Sequence, residues 1–399
     1  MPSLSAAPNK AVVRTVYLFA AVACLLWLLA LLSTHAVLFP GGPNFEDILV
    51  YKGRFTLYHS KKFFTSHAYS AFAYPAGSAP IYAFLYQTRN ALALYLGSAF
   101  VAIAVALLTL YLYLRRSKAL FLLLPLLTLS FPLVFLVQRA NIELYLWSMV
   151  ATGLLLYAGG RRYAAAILFG LCAATKLYPI FLLGLFLSRK RDLPVFLTGT
   201  LAAVLAMCAA IAYAGPSFTI AAHGFFSGVD RFQGHYAQTV RSTEVSWDHC
   251  LFSPVKVWSM THPLSLHDWM LPYYMVAGTL CVALFLRIRR MPDLNRMVFL
   301  TAAMVSLPPV SYAYTLTHLM LPTLLLLVAL LQNERPPASA KWCFSGLLFL
   351  FLPLIALSAV QPFPAGPVQS LVLLFVLLLP SVAPWPSIRP VERQLTPAA

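Results

Sequence analysis

The first apolar stretch of the chain, residues 12–38, reads VVRTVYLFAAVACLLWLLALLSTHAVL. Roughly twenty predominantly apolar residues in helical conformation are enough to cross the hydrocarbon core of a bilayer. The stretch is longer than the apolar part of a cleavable signal peptide, and no clear A-x-A cleavage pattern follows it. It therefore predicts a first helix that stays in the membrane.

Composition extends this prediction to the rest of the chain. Its 399 residues are 61% hydrophobic and 10% charged, whereas soluble domains carry about 25% charged residues. We expect an all-α polytopic membrane protein, with a single transmembrane domain over residues 1–386 and a short cytoplasmic tail at 387–399. The further predicted membrane helices are 92–114, 119–137, 143–158, 194–214, 269–286, 297–314, 316–332, 342–360 and 367–386.

The positions of the basic residues predict the topology. The formal net charge is +17, but the cations sit in short clusters between apolar runs, which indicates membrane orientation rather than nucleic-acid binding. Lys10 and Arg14 place the N-terminus in the cytoplasm. Lys176 and Pro179 interrupt the stretch 163–188, which we interpret as a hairpin, because a single crossing would put the next basic cluster outside. The single crossing remains the alternative.

The hairpin gives about twelve transmembrane helices, with both termini inside. Two long extracytoplasmic loops then cover residues 39–91 and 215–268. Most of the 11 acidic residues and 9 histidines lie in these loops or at helix ends that face the same side. A purely structural bundle does not need this enrichment, so we expect polar chemistry at the outer boundary.

Neither a disulfide framework nor a metal site is predicted. Most of the 6 cysteines lie in apolar segments, Cys250 lies in a polar loop, and no CxxC pair occurs. No H-E-x-x-H or comparable ligand spacing is present either. We expect no metal ligands and no cofactor, and metal dependence itself stays open.

Two adjacent carboxylates, Glu46 and Asp47, follow the first predicted membrane helix in the sequence NFEDILVY at residues 44–51. A carboxylate near the membrane interface is partly desolvated, which makes it a better proton acceptor. The alternative is an N-cap for an interfacial helix. Neighbouring residues on a helix diverge by about 100°, so one of the two is expected to face a given site.

Two proline-containing segments carry aromatic residues. Tyr74 lies in FAYPAGSAPIY at residues 72–82, and Tyr314 closes PPVSYAY at residues 308–314, with His318 shortly beyond it. Aromatic residues at headgroup level usually anchor a protein in the interface. Contact with a sugar ring is the functional alternative, which the pattern alone does not separate from anchoring.

Polar residues also occupy two breaks between apolar segments. Arg139 and Asn141 lie between two predicted helices, and Lys176 with Tyr178 interrupts the stretch 163–188. A lysine at membrane depth is costly unless it reaches the interface or has an anionic partner. A phosphate leaving group is one such partner, because charge builds on its oxygens as its bond breaks.

The second outer loop gathers Arg241, Glu244, Asp248, His249 and Lys256. Such a cluster is most often a solvated loop. Its position on the same predicted side as the first-loop carboxylates makes Asp248 and His249 candidate substrate contacts.

The order of these motifs resembles glycosyltransferase family 87, within the GT-C class of enzymes that use polyprenyl-phosphate sugars. The resemblance covers about residues 40–330 and rests on five segments. They are Asp47 to Tyr51, Phe72 to Pro75, Arg139 to Asn141, Lys176 to Pro179 and Ser311 to Tyr314. Family members usually have Pro-Pro where this chain has Pro75 and Ala76, glutamine in place of Arg139, and tryptophan and histidine in place of Tyr312 and Tyr314.

The resemblance implies a membrane enzyme that moves a hexose, mannose in the best-known members, from a polyprenyl phosphate to a lipid or glycan acceptor. It implies inversion at the anomeric carbon, with Asp47 as general base and with Arg139 and Lys176 on the phosphate. It also implies a bacterial inner-membrane location and an active site facing the periplasm or exterior. The other expected substrate-binding residues are Glu46, Tyr51, Tyr74, Asn141, Tyr178, Asp248, His249, Tyr314 and His318.

Three other classes are compatible with a polytopic membrane chain. A transporter or lipid flippase predicts ionisable residues along a path through the bilayer midplane, whereas here they gather on one side. An oligosaccharide ligase would take its glycan from a pyrophosphate carrier, and donor profiling distinguishes it. A structural subunit of an envelope complex would have no chemistry of its own.

Overall fold

The computed structural model describes residues 9–34, 45–66, 72–114, 119–238, 246–262, 265–333, 335–359 and 364–385. The predicted tail at 387–399 and two members of the second-loop cluster, Arg241 and Glu244, lie outside these ranges. The described part is helical, and the β contact recorded within it is an isolated bridge between Asp248 and Tyr312. The all-α prediction is therefore confirmed.

The α-helices of seven or more residues are Lys10–Thr34, Ala79–Tyr86, Ala91–Leu114, Ala119–Thr128, Phe131–Arg139, Glu143–Ala158, Arg162–Thr175, Leu193–Ala214, Phe218–Phe232, Ser253–Ser259, Leu266–Ile288, Asp293–Ser306, Met320–Leu331, Ala338–Leu350 and Ala365–Leu378. The shorter α-helices are Glu46–Leu49, Lys52–Phe55 and Lys61–Thr65. The 3₁₀ segments are Ala76–Ser78, Tyr178–Leu187, Lys190–Asp192, Ala313–Leu319, Leu354–Ala359 and Leu379–Ser381, and Gln233–Ala237 is a π-helical turn.

Four helical stretches in the described ranges are long and apolar enough to cross a membrane: Lys10–Leu32, Lys190–Ala214, Leu266–Ile288 and Ala313–Leu331. Ala76–Tyr86 and Ala91–Val105, which meet at a bend of 114°, make a fifth if they count as one span. Large apolar side chains cover the outside of Leu266–Ile288, where Leu271, Met275 and Leu286 are 67%, 66% and 72% exposed. Such a surface suits lipid tails, and the chain is a multi-pass membrane protein.

The break predicted within 163–188 is present. The helix Arg162–Thr175 ends before Lys176, whose backbone is extended, and the chain continues as a 3₁₀ segment from Tyr178. Pro179 lies at the start of that segment, where its missing N–H costs nothing. The segment packs back against Arg162–Thr175, as the two arms of a hairpin do.

Proline also explains three boundaries that the apolar pattern predicted wrongly. The predicted helix 119–137 is two helices, and Pro132 lies in the first turn of the second. The predicted helix 297–314 ends at Ser306, just before Pro308 and Pro309. The predicted helix 342–360 ends at Leu350, before Pro353, and a separate 3₁₀ segment follows. Proline lacks the N–H that continues the hydrogen-bond ladder of a helix, and these three runs are divided next to Pro132, Pro308 and Pro353.

Two close approaches place the functional segments. A Cβ on Gly170 would overlap the carbonyl oxygen of Gly199, so glycine lets the helices Arg162–Thr175 and Leu193–Ala214 pack with their backbones almost touching. A Cβ on Gly77 would likewise overlap the carbonyl oxygen of Ala174. The turn after Tyr74 thereby lies against the end of the helix that precedes Lys176.

Candidate active site

The first-loop carboxylates begin a one-turn helix, Glu46–Leu49, that is attached to the end of the helix Phe131–Arg139. Phe45 precedes it in the left-handed region at φ 63°, a conformation that is costly for a residue with a side chain. Its backbone N–H donates to the carbonyl of Gln138 at 2.8 Å. This attachment places both carboxylates beside Arg139.

Arg139 contacts both carboxylates at once. Its Nη1 lies 2.9 Å from Oε2 of Glu46, and its Nη2 lies 2.5 Å from Oδ1 of Asp47. The side chains of Arg139, Glu46 and Asp47 are 19%, 41% and 16% exposed. We expected only one carboxylate to face a given site, and the forked guanidinium instead reaches both, with Asp47 the more enclosed of the two.

Asn141 holds the second oxygen of Asp47. Ala140, at φ 51°, ends the preceding helix and turns the chain, so that Asn141 comes back toward the carboxylate. Its Nδ2 donates to Oδ2 of Asp47 at 2.7 Å, while its Oδ1 accepts the backbone N–H of Glu143 at 2.9 Å. Because a backbone N–H can only donate, this contact fixes the orientation of the amide.

Behind Asn141 lies a fully buried carboxylate, Glu143. Lys176 donates to its Oε2 at 2.5 Å, Nε2 of His318 lies 2.5 Å from its Oε1, and the hydroxyl of Tyr178 also donates to Oε1. Lys176 reaches Oδ1 of Asn141 at 3.4 Å as well. A continuous polar path therefore runs from Asp47 through Asn141 to Lys176 and Glu143.

Tyrosine rings enclose this path. The ammonium of Lys176 lies 5.0 Å from the ring centroid of Tyr74 and 5.4 Å from that of Tyr314, within the range of cation–π attraction. Tyr51 packs edge-on against Tyr74 with centroids 5.8 Å apart. Burial raises the pKa of the Tyr51 phenol well above its usual value, so it remains a neutral donor at physiological pH.

Asp248 and His249 take part in a separate set of contacts. Asp248 pairs with Lys256 at 2.5 Å and accepts the backbone N–H of Ser311 at 3.0 Å. Nε2 of His249 lies 3.2 Å from the hydroxyl oxygens of both Ser311 and Thr315. Burial lowers the pKa of His249 to about 4. These contacts hold the segment that carries Tyr314, rather than reaching the Asp47 path directly.

The structure thus brings most of the sequence-predicted residues into one connected group. Glu46, Asp47, Tyr51, Tyr74, Arg139, Asn141, Lys176, Tyr178, Tyr314 and His318 belong to it. Glu143 is the member that sequence reasoning missed. The sequence signal for Glu143 is a carboxylate two residues after Asn141, on the same predicted side of the membrane as Lys176.

No group of three or more His, Cys, Asp or Glu side chains in the described part of the chain is placed to hold a metal ion. The arrangement that is present offers a carboxylate near the surface and cations beside it. It can accept a proton from a hydroxyl and stabilise an anion at the same place.

Comparison with known proteins decides the family. The family model of glycosyltransferase family 87 matches residues 72–311, more than half of the chain. The chain belongs to glycosyltransferase family 87. This family 87 protein is therefore an enzyme that transfers a sugar. The matched range includes Arg139, Asn141, Glu143 and Lys176 but begins after Asp47, so the assignment does not depend on that residue. A search of curated proteins found no match.

Proposed function

We propose that this enzyme transfers a hexose, in the first instance mannose, from a polyprenyl-phosphate sugar to a hydroxyl of a lipid or glycan acceptor. Asp47 is the general base, and Arg139 and Lys176 stabilise the leaving phosphate. The observation that supports this assignment is Asn141, which contacts Asp47 at 2.7 Å and Lys176 at 3.4 Å. A proton acceptor and a cation thereby lie on two sides of one amide.

The reaction is a direct displacement. The acceptor oxygen attacks the anomeric carbon, its proton passes to Asp47, and the bond from that carbon to the phosphate oxygen breaks. Attack and departure take place on opposite faces of the sugar, so the anomeric configuration inverts. The products are the glycosylated acceptor and a polyprenyl phosphate, whose added charge lies beside the cations.

Arg139 has a second part in this proposal. Its guanidinium pairs with Glu46 and Asp47 and thereby occupies Oδ1 of Asp47. A donor phosphate offers Arg139 the same bidentate geometry as a carboxylate. When Arg139 turns to the phosphate, Oδ1 of Asp47 becomes free to take the proton of the acceptor hydroxyl. Donor binding therefore makes the carboxylate of Asp47 available to accept a proton.

The remaining parts of the proposal concern topology. The chain crosses the membrane about twelve times, with the shorter apolar helices of 10–17 residues completing the bundle around the spans named above. The long loops and the Asp47 path face the periplasm or exterior of a bacterial inner membrane. Support comes from three basic clusters, which lie at helix ends that the predicted topology places in the cytoplasm. They are Arg161 with Arg162, Arg189 to Arg191, and Arg287 to Arg290.

The deciding experiment compares Asp47→Asn with Glu46→Gln in proteoliposomes that contain labelled polyprenyl-phosphate-mannose and a native membrane-lipid extract. Loss of a general base lowers turnover by about 10²–10⁴-fold, so we expect Asp47→Asn to be nearly inactive. Glu46→Gln removes the neighbouring charge and another partner of Arg139, and we expect it to keep activity within about tenfold of wild type.

The proposal is wrong if Asp47→Asn turns over within a few-fold of wild type. Equal losses in both variants would assign the effect to the charge around Arg139 rather than to proton transfer. A parallel assay with a pyrophosphate-linked sugar tests the donor: transfer from it, and none from the monophosphate, would make the protein an oligosaccharide ligase.

A further inference from the structure

A cavity of about 340 Å³ lies at the far end of the helix that begins with Glu143. Its lining includes Tyr157 near the end of that helix, Ser188 after the 3₁₀ segment Tyr178–Leu187, and Asp293 at the start of the helix Asp293–Ser306. With a rise of about 1.5 Å per residue, the helix separates Glu143 from Tyr157 by roughly 20 Å. The cavity is therefore distinct from the Asp47 path.

Arg296 lines this cavity and is buried. Its Nη2 pairs with Asp293, but its Nε and Nη1 are buried and have no hydrogen-bond partner among the described residues. A guanidinium removed from water with unmet donors is costly. An anion in the cavity would lower that cost by offsetting the charge of Arg296, which lines it.

The charge of the lining favours an anion. Arg189 and Arg289 line the same cavity from exposed positions, whereas Asp293 is the acidic residue of the lining. Asp293 already accepts the hydroxyl of Tyr157 at 2.8 Å in addition to its contact with Arg296. Guanidinium groups present paired donors that match phosphate oxygens.

We propose that this cavity binds a phosphate group on the membrane face opposite the carboxylates. It lies where two candidate spans end, because Arg189 precedes Lys190–Ala214 and Arg289 follows Leu266–Ile288. That position is level with the headgroups of lipids. A phospholipid headgroup and a soluble phosphate share the chemistry that the arginines recognise, and the experiment separates them.

The experiment measures binding of phosphatidylglycerol to the purified full-length protein in phosphatidylcholine-containing detergent micelles, by native mass spectrometry over a titration. The test variant is Arg189→Gln with Arg289→Gln, which leaves buried Arg296 in place. The matched control is Arg191→Gln with Arg290→Gln, which removes two exposed arginines near the same end that do not line the cavity. We expect roughly tenfold weaker binding in the test variant and near-wild-type binding in the control.

Inorganic phosphate, added as a competitor, identifies the source of the ligand. Competition at millimolar concentration supports a site for soluble phosphate, and retention of the lipid without competition supports a headgroup site. Equal weakening in the test and control variants would mean that only the general charge of this face attracts anions, and would overturn the proposal. Binding of phosphatidylglycerol that is unchanged in the test variant would overturn it as well. The readout is binding, so it does not depend on sugar transfer.

Discussion

Two ion-pair clusters in this protein use the same chemistry at different depths. In the first, Arg139 holds Glu46 and Asp47 where all three side chains remain partly exposed. In the second, Lys256 holds Asp248 where both are almost fully buried. A partly exposed pair can exchange partners with a ligand at low cost, whereas a buried pair cannot separate without leaving a charge out of water. We therefore propose that the first cluster contacts the substrate and that the second stabilises the fold.

The sharpest test of this contrast is the stability of Asp248→Asn. Lys256 donates to Asp248 and to the carbonyls of Pro309 and Tyr236, at 2.5, 2.9 and 3.1 Å. The substitution removes one partner of a buried ion pair, which typically costs about 3–5 kcal/mol. We expect a large fall in the thermal unfolding midpoint of the detergent-solubilised protein.

Asp47→Asn is the matched control, because it makes the same chemical change in the partly exposed cluster. Arg139 keeps Glu46 as a counter-ion when Asp47 becomes neutral, so no buried charge is left unpaired. The unfolding midpoint should therefore stay close to wild type although activity is lost. A larger loss of stability in Asp47→Asn than in Asp248→Asn would reverse the roles assigned to the two clusters.

The same contrast shows what the sequence could and could not predict. Helices and their interruption at Lys176 follow from apolar runs and from proline, and Asp47, Arg139, Asn141 and Lys176 stand out as polar residues at the ends of such runs. The sequence does not predict which residue pairs with each charge, because the pairing depends on how the helices pack. For Lys176 the sequence predicts a phosphate contact, but it does not predict the pairing with Glu143 that packing adds. Asp248 was expected to contact substrate, and packing has turned it toward Lys256.

A second test of the buried cluster uses pH. Burial lowers the pKa of His249 to about 4 in the folded protein, whereas an unfolded histidine titrates near 6.5. Below about pH 6.5 the unfolded chain binds a proton that the folded chain does not. The folded state therefore loses stability as the pH falls toward 4, by on the order of 3 kcal/mol in total. Above pH 7 this contribution is constant.

The measurement compares unfolding midpoints of wild type and His249→Gln between pH 7.5 and pH 4.5. Carboxylates titrate in both proteins, so the difference between the two curves isolates the titration of His249. We expect the wild-type midpoint to fall more steeply. Parallel curves would show that His249 is accessible to protons in the folded state, which would contradict its place in a buried structural cluster.

The smallest effect is expected in the partly exposed cluster. It tests whether Arg139 exchanges its carboxylate partners for a phosphate. Lysine keeps the charge but has one nitrogen, so Arg139→Lys can contact Glu46, Asp47 or a phosphate but cannot hold two oxygens in the planar geometry of a guanidinium. Loss of one charge-assisted hydrogen bond to the donor is worth about 1.4 kcal/mol, or tenfold in affinity. We therefore expect the KM for polyprenyl-phosphate-mannose to rise roughly tenfold, with a smaller change in kcat.

Initial rates over a donor titration in proteoliposomes measure both constants, and the unfolding midpoint checks that the variant is folded. The split between KM and kcat is informative, because Arg139 contacts Asp47 directly. If Arg139 served only to position Asp47, its replacement would lower kcat and leave the KM for donor unchanged. That outcome would mean that the ion pairs of the partly exposed cluster do not exchange partners either. The proposal that Arg139 moves from carboxylate to phosphate would then be wrong.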